Sequence, residues 1–113
     1  MLNGEAAKLL RIHLSEGDAR DGKPMHEAIL GKCHELGIAG ATVFRGLEGY
    51  GETAEVHRHR LLHHDQPLVI VVVDDAAKLS LLIPEVEAMM QSGMMAMSDV
   101  KALRVKKSPP RDE

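Results

Sequence analysis

Two short stretches bring together residue types whose spacing could do chemistry. In "HRHRLLHH", residues 57–64, His57 and His59 stand two apart, which on a strand puts both imidazoles on one face and Arg58 and Arg60 on the other. Imidazoles so placed can share a transition metal, and His63 or its neighbour His64 completes a three-ligand set. No Cys, Asp or Glu stands there to make that set specific. The same stretch also reads as a charged, solvated hairpin edge that resists aggregation. A third use is contact of Arg58, Arg60 and His64 with an acidic partner surface or anionic headgroups.

The second stretch is "RGLEGYG", Arg45 to Gly51. Its spacing is wrong for a dinucleotide fingerprint, and it leads into a hairpin rather than a helix. Gly46, Gly49 and Gly51 still let backbone N–H groups approach an anion closely, with Arg45 and Tyr50 among them. The alternative is a bulged hairpin whose glycines only relieve strain.

Catalysis finds little support. No nucleophile elbow, metalloprotease helix or Walker loop occurs; Glu16, Asp18 and Asp21 fall in an ordinary turn, and His26 and Glu27 open a helix facing solvent. Cys33 is the only cysteine, so no internal disulfide or thiol pair exists, and its place on a helix predicts a buried, reduced thiol.

The 113 residues, 44% of them hydrophobic, suit one core, and 14 basic against 17 acidic residues leave a net charge of -3, with no field to draw nucleic acid. Phe44 and Tyr50 are the only aromatics, too few for base stacking. The longest apolar run, Leu68 to Val73, falls far short of the ~20 residues of a membrane helix. Glu5 and Lys8 interrupt the N-terminus, so no signal peptide is read, and a cytoplasmic protein that is not inserted in a membrane is expected.

These residues need a scaffold. "KLLRIHL" sets Leu10, Ile12 and Leu14 against Leu9, Arg11 and His13, the period of a strand. Pro24 then fits a helix's first turn, Met25, Ala28, Ile29, Cys33 and Leu36 form its stripe, and Gly37 with Ile38 ends it. A strand follows over Ala41 to Leu47, then a polar return arm over Glu55 to Leu62, then "LVIVVVD", a strand buried on both faces. A second helix over Ala76 to Gln91 turns Leu79, Leu82, Ile83, Val86 and Met90 inward; Pro84 should kink or split it, and Gly93 stops it. Val100 to Val105 is the last strand. Residues 1–105 therefore read as one domain, and "KKSPPRDE", 106–113, as a polar tail too proline-rich to pack.

The order is β-α-β-β-α-β with an extended hairpin: an α+β, ferredoxin-like sandwich with both helices on one face of an antiparallel sheet. Two helices cover only one face, yet Leu68 to Val73 is apolar throughout. Further copies of the chain are the simplest cover, so an obligate oligomer with ligand sites between subunits is expected.

"GKPMHEAIL", "GIAGATVFRGLEGYG" and the acidic pair after "PLVIVVV" closely resemble the small PII-like proteins of bacteria and archaea classed as domain of unknown function 190, from about Lys8 to Val105. The resemblance extends more loosely to PII signal-transduction proteins. It implies a homotrimer with sheets facing the threefold axis, clefts between neighbours, and a non-enzymatic regulator of partners such as membrane transporters. It also implies a ligand-contacting or hinge position at Gly49, Tyr50 and Gly51, at the root of the 52–66 hairpin. Arg45, Gly46, Gly93, Lys101 and Arg104 join them as the candidate ligand set. The lysine-bearing phosphate loop of PII proteins is replaced by "SGMMAMSDV", so a small anion or a monophosphate adenine nucleotide fits better than a triphosphate. Met94, Met95 and Met97 are read there as packing at a subunit interface.

Overall fold

The computed structural model describes residues 3–50, 56–57 and 66–105. Strand β1 (Asn3–Ser15) is followed by a small ribbon of β2 (Ala19–Arg20) and β3 (Lys23–Pro24), helix α1 (Met25–Glu35) and β4 (Ala41–Arg45). Short strands β5 (Gly49–Tyr50) and β6 (Val56–His57) pair with each other. Strand β7 (Pro67–Asp74), helix α2 (Ala76–Met89) and β8 (Met94–Leu103) complete the described chain. The main sheet has the order β4-β7-β1-β8, antiparallel throughout, with the helices together on one face, as the ferredoxin-like reading requires.

Alternation in β1 and β7 builds the core. Leu10, Ile12 and Leu14 stand beside Val72, Ile70 and Leu68, and all six meet Met25, Ile29 and Cys33 of α1 and Leu79, Leu82 and Val86 of α2. Burying one such side chain contributes roughly 1.5–3 kcal/mol. A slip of one residue would turn every one of them to the other face, so the pairing is strongly fixed.

The other face has no cover from the described residues. Cross-strand partners share a face, so two rows run across it: Thr42, Val71, Arg11 and Ala96, and next to them Phe44, Val69, His13 and Met94. Phe44 is 55% exposed and Met94 56%. Within one chain, β7 is buried on one face only. Leu68, Ile70, Val72 and Asp74 are buried, whereas Val69, Val71 and Val73 are half-buried, because the helices reach one side only.

Three further details differ from the sequence expectation. Pro84, expected to kink or split α2, does not split it. Pro84 and Ser80 are both exposed, so the hydrogen bond that proline forfeits lies on the solvent side, while Leu79, Leu82 and Val86 hold the two halves to one core. The last strand begins at Met94, not Val100, so Met94, Met95 and Met97 are strand residues and only a short turn separates α2 from β8. Met95 packs on the core beside Ile12. Pro24 is the N-cap of α1 rather than its first helical residue.

Local bonds close the ends. Gly37 N–H bonds to His34 O at 3.1 Å and Ile38 N–H to Cys33 O at 3.0 Å, the closure anticipated for α1. The Asp75 side chain caps α2 by accepting from Lys78 N–H at 2.8 Å. Lys78 Nζ reaches back to Gly37 O at 2.8 Å. Lys32 Nζ lies 3.2 Å from Glu35 and 3.6 Å from Glu85, joining the two helices. The hydrogen bond and charge of Glu35 raise its pKa, with Glu85 adding to the shift.

Candidate functional site

Arg45, the last residue of β4, lies on the row of Leu68 and Leu14, on the helix side of the sheet at the end where β1 finishes. Its Nη2 donates to Glu16 Oε2. Glu16, in the turn after β1, donates its own N–H to Gln66 O at 2.8 Å, and Gly46 N–H donates to Pro67 O at 2.7 Å. Both ends of the excursion between β4 and β7 are thereby tied to one small region. A Cβ at Gly46 would stand 2.9 Å from Pro67 Cγ, so any larger residue there requires the proline ring to shift.

Glu16 is the residue that sequence reasoning missed. Read as part of an ordinary turn, it proves largely buried: Oε2 holds Arg45, and Oε1 is buried without a hydrogen-bond partner among the described residues. Its partner is 29 residues away, and only the strand order brings the two together. His26, expected to face solvent, is half-buried, with Nδ1 lacking a partner among the described residues.

Gly49 and Tyr50 form β5, with Gly49 opposite His57 and Tyr50 opposite Val56, so the glycine stretch and the first histidine share a hairpin as expected. Gly51 lies outside the described residues, as do Arg58, His59, Arg60, His63 and His64, and with them the proposed metal set. Among the described residues no cluster of three or more His, Cys, Asp or Glu could hold a metal ion.

The remaining candidates lie elsewhere on the sheet. Gly93 is at the same end as Arg45 but on the opposite edge, three strand spacings or roughly 14 Å away. It has φ 133°, and a Cβ there would meet Met90 Cε and stand 2.6 Å from His13 O. Lys101 is eight residues further along β8, roughly 26 Å from Gly93. It lines an open cleft of about 520 Å³ with Ala6, Ala7, Lys8, Ala76, Asp99 and Val100, where Lys8 pairs with Asp99. Arg104 follows the end of β8. One chain thus gathers Arg45, Gly46 and the root of the β5–β6 hairpin, and holds Lys101 and Arg104 apart from them.

Cys33 is buried in the core, and burial raises its thiol pKa, so it is a packing residue as expected. Among the described residues no helix is long and apolar enough to cross a membrane.

The family model for domain of unknown function 190, described as "Uncharacterized ACR", matches residues 7–102. A UPF0166 protein of Aquifex aeolicus is 36% identical over 98 residues, covering 85% of this chain and 92% of that protein. Among solved structures, CPII of Thiomonas intermedia K12, a nitrogen regulatory PII-like protein bound to ADP, AMP and bicarbonate, superposes with a TM-score of 0.68 at 20% identity, over 88% of this chain and 91% of that one. The divalent ion tolerance protein CutA1 of Ehrlichia chaffeensis gives a TM-score of 0.58 at 15% identity, over 94% and 87% of the two chains.

Proposed function

The chain belongs to the domain of unknown function 190 family, and from that premise we propose that it is a non-enzymatic, PII-like regulator that binds a small anion between subunits. The observation that carries this reading is Arg45 with Gly46 at the point where the chain leaves the sheet. A guanidinium there, 57% exposed, stands at the root of an excursion able to report occupancy. The fold shared with CPII, bound to ADP, AMP and bicarbonate, supports the ligand class. An adenine mono- or diphosphate or a small oxyanion fits a site without a lysine-bearing phosphate loop.

The quaternary part of the proposal is a homotrimer. Its support is the open sheet face, where Val69, Val71, Phe44 and Met94 lie uncovered by the described residues. Since Lys101 and Arg104 are remote from Arg45 within one chain, a neighbouring copy is what can bring them to its cleft. We take residues 1–105 as one domain and 106–113 as a polar tail. The protein acts in the cytoplasm, and the 52–66 hairpin carries the signal to a partner such as a membrane transporter.

Native mass spectrometry with calorimetry against AMP, ADP, ATP, cyclic nucleotides and bicarbonate tests this. The expected result is a trimer that binds AMP, ADP or bicarbonate at up to one per chain. A monomer silent toward all of them at millimolar concentration overturns it.

A further inference from the structure

We propose that Glu16 is the specificity-determining residue of the Arg45 site, an internal carboxylate that occupies the guanidinium until a ligand oxyanion displaces it. This rests on the reading of Arg45 as an anion contact. The Glu16 carboxylate shows what Arg45 can hold, a planar oxyanion, and it holds it imperfectly. Only Oε2 is paired, while Oε1 is buried with no partner among the described residues. A buried acceptor without a donor is costly, and an ion pair whose arginine is 57% exposed is weak. The contact is therefore one that a competing carboxylate, bicarbonate or phosphate can break.

Breaking it reaches the backbone. A Glu16 carboxylate without Arg45 has to turn outward to be hydrated. Its N–H holds Gln66 O at 2.8 Å, next to Pro67, whose carbonyl takes Gly46 N–H at 2.7 Å. Both ends of the excursion are tied within two residues of the displaced group, so ligand exchange at Arg45 loosens its root. Glu16 thus sets which anions succeed: those that bind Arg45 better than a tethered carboxylate already does.

The test uses the full chain and Glu16→Gln, which keeps the shape and removes the charge. Amide exchange at position 16 and at Gly46, corrected for intrinsic rates, should accelerate at least fivefold without ligand, while Ile70 in β7 is unchanged. Arg45→Gln, at an exposed site, should give the same acceleration even if Glu16→Gln fails to fold. Calorimetry with bicarbonate, acetate, inorganic phosphate and AMP should show three- to tenfold tighter binding to Glu16→Gln for the class that the site takes, and none to Arg45→Gln. If wild type binds an anion but Glu16→Gln binds it no better, competition is refuted while the regulator reading stands. Binding by Glu16→Gln alone sustains the competition and sinks the regulator. Silence of both proteins toward every anion sinks both.

Discussion

Asp74 Oδ2 accepts the backbone N–H of Ala39 at 2.9 Å, fixing the loop after α1 to the end of β7. Its Oδ1 accepts Asp75 N–H at 2.8 Å, so one buried carboxylate serves both the loop and the start of α2. Asp74→Asn keeps the size but leaves one of those N–H groups facing an amide NH2. The expected cost is about 1–3 kcal/mol, read as a lower midpoint in urea with an unchanged slope. A midpoint equal to wild type would show that the loop is held by Lys78 alone.

Val71 and Val72 are adjacent and face opposite ways, and the same substitution should separate assembly from folding. Val72→Glu puts a charge into the core and should prevent folding. Val71→Glu lies on the open face between Thr42 and Arg11, so it should leave a folded chain of native circular dichroism that sediments as a monomer. If wild type associates, a Val71→Glu protein of the same size would move the proposed interface off this face.

Gly93→Ala combines a backbone of φ 133° with a Cβ 2.6 Å from His13 O. A cost of at least about 1–3 kcal/mol follows from the backbone term alone, and the clash adds to it. Thermal unfolding measures this directly; a loss below one degree in Tm would mean that the turn after α2 relaxes freely.

Cys33 should resist alkylation in the native protein and react fully in denaturant. Burial raises its folded pKa above the unfolded value, so the folded state retains the proton longer. Stability is therefore unaffected below the unfolded pKa and falls as pH rises from the unfolded pKa through the folded one. Cys33→Ala should flatten that alkaline decline while lowering stability near neutrality through the cavity left behind. An equally steep decline in the variant would assign it to other groups.

The parts of the fold legible in the sequence are those written in local periodicity. Leu10, Ile12 and Leu14 alternate, and Met25, Ile29 and Cys33 recur at helical spacing, so the core could be named from neighbours a few residues apart. The start of β8 was hidden because Met94 to Ala96 carry no alternation: Met95 packs on the core while Met94 is exposed on the open face. Glu16 was hidden for a different reason. Its meaning lies in Arg45, Gln66 and Pro67, which approach it only once β4, β7 and β1 lie side by side. Lys101 and Arg104 show the converse, since sequence resemblance grouped them with glycines that the topology of one chain sets far away.

The ties at Gly46, Pro67, Gln66 and Glu16 also make the length of the excursion independent of the sheet. Its two ends are held together whatever lies between them, and closing a longer loop costs only about 0.6 kcal/mol for each doubling. Insertions or deletions between residues 47 and 65 should thus pass with little effect on Tm. Loop length can therefore vary with no repacking of Leu10, Ile12 or Ile70.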